Sequence, residues 1–181
     1  MIDIKPTLEK LGLNEPPCPI YWTNKNLHFW ELGAFFDDGT KQWIELNPKN
    51  HFFFLGYNHQ KVLEHELIHA LRASYKDSIW EELLAYQVSK YGYQRFLGPF
   101  LSQKLVSILL LITPFVIRWD IKFFALLWAF LGMKYLRQYL SFKTALNHFQ
   151  KEGFSKQASW LKLVHLSPED LGKLSTKKEL L

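Results

Sequence analysis

Between Asn58 and Ala73, Val62, Leu63, Glu66, Leu67, His69 and Ala70 recur at spacings of three and four. That is the period of an α-helix with two distinct faces. Inside this stretch lies Leu63-Glu64-His65-Glu66-Leu67-Ile68-His69-Ala70-Leu71. Four residues is slightly more than one helical turn, so the imidazoles of His65 and His69 project from the same side. The pattern therefore demands a helix with an apolar stripe packed on a core and two histidines presented together. With 7 His in 181 residues, a His-Glu-x-x-His string is expected by chance only about 0.016 times.

Two imidazole nitrogens placed this way can share one tetrahedral Zn²⁺ at roughly 2.0–2.1 Å each. Glu66, beside His65, can reach a water on such a metal without ligating it and accept its proton. A third protein ligand is then needed. Cys18 lies in a Pro-rich stretch far upstream, and His28, His51, His59, His148 and His165 do not sit in a helix shortly downstream. Glu81 and Glu82 do. Ser78-Ile79-Trp80-Glu81 reads as a capping box, which gives Glu81 a structural task at the start of a second helix. Glu82 then shares a face with Ala85, Tyr86 and Ser89, and small Ala85 allows close approach to the His65–His69 helix. Glu82 is the expected third ligand.

The rest of the first half is short and mixed. A turn-rich opening (Gly12, Asn14, Pro16, Pro17, Pro19) leads to aromatic and β-branched runs at Leu27–Phe36 and Lys41–Leu46. Asp37-Asp38-Gly39-Thr40 between them predicts a hairpin. Trp43 and Glu45 alternate with Ile44 and Leu46, as on a half-buried or edge strand. The second helix starts at Ser78 and is expected to run towards Tyr91-Gly92. One cysteine excludes a disulfide scaffold and a Cys-based zinc cluster, and the N-terminus shows no secretory pattern.

Charge divides the chain. Residues 1–94 hold 9 Lys+Arg against 12 Asp+Glu, and residues 95–181 hold 13 against 5. The basic half also contains apolar runs at Leu105–Ile117 and Phe123–Met133, separated by Arg118-Trp119-Asp120. Each is short of the ~20 residues that cross a bilayer, so a tilted or shallow membrane-associated hairpin and a buried hairpin are the two readings. Ser141–Leu163 is amphipathic, with Phe142, Ala145, Leu146 and Phe149 on one side and lysines interspersed. It suits either an anionic membrane face or a helix packed on the domain. An anionic membrane surface is the expected partner. The positive charge is spread among apolar helices, so no specific nucleic-acid partner is expected.

His65-Glu66-x-x-His69 followed by Glu82-x-x-Ala85 resembles the zincin metallopeptidases in their gluzincin arrangement, over about Lys41–Tyr93. The stretch is loosely similar to SprT-like and ImmA/IrrE-like minimal zincins, although no third histidine of the SprT type is present. The resemblance implies an α+β fold with a small mixed sheet, an active-site helix and a second helix bearing the glutamate. It makes His65, His69 and Glu82 zinc ligands and Glu66 the general base. A Tyr or His often stabilises the oxyanion in gluzincins; Tyr86, Tyr91, Tyr93 and His59 are the candidates, Tyr86 foremost. An edge strand would hold a protein or peptide substrate, with Lys41–Leu46 the expected one. Asp77 or Glu64 would orient a ligand imidazole.

The expected organisation is a catalytic unit over residues 1–94, an apolar hairpin over 95–140, and a basic helix and tail over 141–181. If the hairpin spans, Arg95/Lys104 and Lys134/Arg137/Lys143 place both termini on the cytoplasmic side; a soluble cytoplasmic protein is the alternative. The competing functional reading is a membrane-anchored interaction protein with a non-catalytic zinc site.

Overall fold

The structure is a computed structural model that describes residues 3–28, 31–49, 58–75, 78–89, 91–102, 104–116 and 121–176. His51 and Asp77 lie outside them. The fold is α+β, with eight α-helices and a three-stranded mixed sheet among the described residues.

Helix α1 (Lys5–Leu11) carries Pro6 in its first turn and ends at Gly12, whose φ of 69° is left-handed. Proline at the start and glycine just past the end are the ordinary bounds of a helix. Strands β1 (Ile20–Trp22), β2 (Gly33–Asp37) and β3 (Gln42–Leu46) form the sheet in the order β1-β3-β2. The Asp-Gly turn joins β2 and β3 as an antiparallel hairpin with Phe35 opposite Ile44, and Gly39 has φ 84°. β1 pairs with β3 in parallel, Tyr21 opposite Glu45.

Strand β3 is therefore central, not the edge strand expected from its alternating residues; β2 is an edge. Glu45, which gave β3 its half-polar look, is buried. Its carboxylate accepts from the Asn26 backbone N–H and the Trp43 indole, each at 3.1 Å, and from the Asn26 side-chain amide. A fully hydrogen-bonded carboxylate satisfies the rule for buried polar groups, so it can sit on a covered face of the sheet.

Helix α2 (His59–Arg72) is capped by Asn58, whose side chain accepts from Lys61 N–H at 2.9 Å. Its Val62, Leu63, Leu67 and Ile68 are buried in the core with Ile44 and Leu46. Gly33 is the point of closest approach: a Cβ there would stand 2.6 Å from Val62 Cγ1 and 2.8 Å from Leu46 Cδ2. Glycine thus lets the edge strand lie on α2.

Helix α3 (Ser78–Ala85) tightens into a 3₁₀ turn at Tyr86–Val88 instead of continuing to Gly92. Ser89 organises the break: its hydroxyl donates to the Gln94 side-chain oxygen and accepts from Tyr91 N–H at 3.2 Å, opening α4 (Gly92–Leu101). Helix α5 (Lys104–Val116) and α6 (Ile121–Lys151) follow, then α7 (Lys156–Val164) and α8 (Pro168–Thr176).

The boundaries drawn at 94 and 140 do not divide this core. Helix α6 runs unbroken through residue 140 for 31 residues, and Phe142, Ala145 and Leu146 are buried in one cluster with Leu83 and Leu84 of α3 and Leu163 of α7. The apolar side of the basic segment is thus occupied by the protein itself. Trp160 of α7 donates its indole N–H to the Leu84 carbonyl at 3.1 Å, which ties the last third of the chain to α3.

Candidate metal centre

Helix α2 presents His65, Glu66 and His69, and α3 lies beside it with Ala85 fully buried at the contact. Three potential ligand atoms converge. His65 Nε2 lies 3.2 Å from His69 Nε2, and Glu82 places Oε1 3.6 Å from His69 Nε2 and Oε2 3.8 Å from His65 Nε2. Tetrahedral ligands at zinc bond lengths stand ~3.3 Å from one another, so these separations are already close to those a zinc ion requires. Glu82 Oε2 is buried without a hydrogen-bond partner in the structure. A buried carboxylate oxygen left this way costs free energy, and a cation would satisfy it. The donor set, two imidazoles and one carboxylate, is that of catalytic zinc sites, and it fits the group.

The electrostatics point the same way. Burial, followed by the nearby His69 charge, holds His65 well below the usual imidazole range, against its hydrogen bond to the Ala85 carbonyl. A neutral imidazole has a lone pair to give. For His69, burial acts downward but is outweighed by the hydrogen bond to Glu81 and the charges of Glu66 and Glu82, which push it up to about 9. Glu82 is raised, first by burial. Glu66 is pushed up to about 7 by burial, with Glu82 and Glu31 adding repulsion. Several carboxylates crowded into low dielectric around two histidines form a field that attracts a cation.

Two partners of this site were not read from the sequence. The first is the backbone N–H of Phe35, which donates to Glu66 Oε2 at 2.9 Å. Leu32 and Asp38 form ladder bonds with Asn47 and Lys41; the two-residue alternation of an antiparallel pair then turns the Phe35 N–H away from β3, towards α2. The second is Glu81, whose Oε2 stands 3.6 Å from His69 Nδ1. It occupies the place expected for Asp77 or Glu64 behind a ligand imidazole. Glu64 instead pairs with Lys10 at 2.6 Å. The Ser78 side chain that would complete the capping box lies outside the described side chains. A carboxylate on the far nitrogen of a histidine is the one signal that could have singled out Glu81.

A cavity of about 580 Å³ opens over these groups, lined by Glu31, Gly33, Phe35, Glu66, His69 and Glu82 among others. Tyr86, Tyr91, Tyr93 and His59 are not in its lining. The Tyr86 ring stands edge-on to His65 at 4.7 Å, and on its other side a Cβ at Gly98 would lie 2.1 Å from Tyr86 Cδ1. Tyr86 is thus wedged between His65 and α4. His59 Nε2 bonds the Asn47 carbonyl at 2.8 Å, and Tyr91 stacks on Tyr93.

Comparison with protein-family models, with curated proteins and with solved structures finds no match for the chain.

Proposed function

We propose that this chain is a zinc-dependent peptidase with a zincin-like catalytic unit. The observation that carries the reading is the convergence of His65, His69 and the unpartnered Glu82 carboxylate at zinc-ligand spacing, with Glu66 alongside. His65, His69 and Glu82 would hold the metal. When bound, zinc supplies a Lewis acid that polarises the substrate carbonyl and lowers the pKa of a water to about 7. Glu66 takes the proton of the attacking water and delivers it to the leaving amine nitrogen. Its Oε2 is held by the Phe35 N–H, which leaves Oε1 for this transfer. Glu81 keeps His69 oriented, and Tyr86 buttresses His65. Strand β2, the edge that reaches Glu66, is the element along which an extended protein or peptide substrate would lie, in place of β3.

Zinc binding tests the reading directly. The metal must displace the proton of His69, whose pKa is about 9 in the metal-free chain. Below that value protonated His69 competes with zinc, so affinity rises with pH. A competitive titration should show affinity increasing about tenfold per pH unit between pH 7 and 9 and levelling above. Affinity independent of pH over that range would contradict His69 as a ligand.

A membrane surface is the second part of the proposal. Among the described residues no helix is long and apolar enough to cross a membrane. Yet Leu111 of α5 is 73% exposed and Leu126 of α6 72%, with Ile108, Phe130 and Met133 also exposed. Trp128 Nε1 bonds Thr113 Oγ1 at 3.1 Å, which holds the two helices together there. Exposed Lys134 and Arg137 follow along α6. Apolar residues backed by cations match an anionic bilayer surface, with the site facing the cytoplasm. Flotation with anionic vesicles should fall about tenfold in Leu126→Ser/Phe130→Ser; undiminished flotation would contradict this role for the hairpin.

A further inference from the structure

On another side of α3 and α4, two adjoining cavities of about 270 and 380 Å³ share Gln87, Arg95, Leu146 and Lys156. The first also takes in Lys10 and Gln157, and the second Lys143, Asn147 and Gln150. No acidic residue lines either cavity. Lys10 is neutralised by Glu64, which leaves Arg95, Lys143 and Lys156 as the cations facing this space. Lys156 is also the first residue of α7, whose N-terminal end contributes positive potential. Independently of the charges, Gln87 Nε2 is buried without a hydrogen-bond partner in the structure. A buried donor left unsatisfied is costly, and here it borders a cationic space furnished with further amides.

We propose that this groove binds a phosphate group, as a free phosphate or as the headgroup of an anionic lipid. A phosphate brings several acceptor oxygens, enough to engage the guanidinium of Arg95, both ammonium groups and the orphaned Gln87 amide together. The site is not part of the metal centre and does not depend on its chemistry. Lys143 lies six residues beyond Arg137 on α6, about 9 Å along the axis. A hairpin embedded in a membrane would therefore leave the groove near the headgroup layer.

The experiment uses the full, metal-free chain. Inorganic phosphate is titrated calorimetrically, and vesicles of phosphatidylcholine with and without phosphatidic acid are tested by co-sedimentation. One saturable phosphate site per chain is expected. Arg95→Gln, Lys156→Gln and Gln87→Leu should each weaken it about tenfold, while Lys25→Gln, at an exposed lysine elsewhere, should leave it unchanged. Lys143→Gln alters an exposed position and provides a variant with little risk to folding. Preference for phosphatidic acid that free phosphate competes away, and that the same variants lose, assigns the headgroup. Phosphate binding without that preference assigns the free ion. No saturable binding to either probe, or equal weakening by Lys25→Gln, would overturn the proposal.

Discussion

Glu66→Gln is expected to retain one zinc per chain and to lose 10²- to 10⁴-fold in peptide hydrolysis, the usual contribution of a positioned general base. The substitution is chosen because it changes little else. Glutamine has the size of glutamate, and its carbonyl oxygen can still accept from the Phe35 N–H that now binds Oε2 at 2.9 Å. The amide lacks a site that takes and returns a proton near neutral pH. Replacing a carboxyl whose pKa is pushed up to about 7 by burial and by Glu82 also relieves repulsion, so the variant should be at least as stable as the native chain. The sign of the pH dependence follows. The working form is the carboxylate, so activity falls as pH drops through the Glu66 pKa. A bound cation lowers that pKa, and the acid limb should have its midpoint at or below about 7. Turnover of a peptide mixture, followed by mass spectrometry alongside metal content, makes the comparison. Unchanged behaviour of Glu66→Gln would favour the interaction protein with a non-catalytic zinc site.

The second large effect is on stability. Arg72, the last residue of α2, is fully buried, and one of its guanidinium nitrogens donates to the carbonyls of Val164 at 2.8 Å and Leu166 at 2.9 Å. The final carbonyls of a helix have no partners within it and carry partial negative charge. Arg72 satisfies those at the end of α7 from the helix that bears both histidines. Arg72→Met would fill much of the volume but strand buried carbonyls, each costing about 1–3 kcal/mol. A loss of about 3 kcal/mol is expected, equivalent to a fall of roughly 6–12 °C in Tm for a chain of this size. Arg72→Lys should recover only part of it, since an ammonium lacks the planar fork. A change within 0.5 kcal/mol on chemical denaturation would show that α7 does not depend on this contact.

What could be read from the residues depended on how local the determinants were. The α2 helix, its start near Asn58 and the β2–β3 hairpin come from patterns within a few residues, and they stand as expected. The position of β3 within the sheet does not, because it is set by parallel pairing with Ile20–Trp22 and by Asn26 satisfying Glu45, partners some 20 residues upstream. Helix α1 was legible in principle: Pro6 and Gly12 bound it, but the surrounding prolines and glycines suggest only turns. Glu82 was separable from Glu81 by position around the helix, and the structure brings Glu82 to both histidines. The place of Glu81 behind His69 needs the relative rotation of α2 and α3, which no local spacing specifies. The fate of residues 141–163 was likewise undetermined, since an apolar stripe faces lipid or protein equally well. Leu83, Leu84 and Leu163 decide it by burying Phe142 and Ala145.

The central claim is that His65, His69 and Glu82 form one metal site, and metal content per chain measures it. Native protein purified gently without chelator should carry one zinc, and Glu82→Ala should lose it to a chelator at least tenfold more readily while remaining folded. A native chain that binds no zinc, or a Glu82→Ala variant that holds it as tightly as the native, would contradict the account.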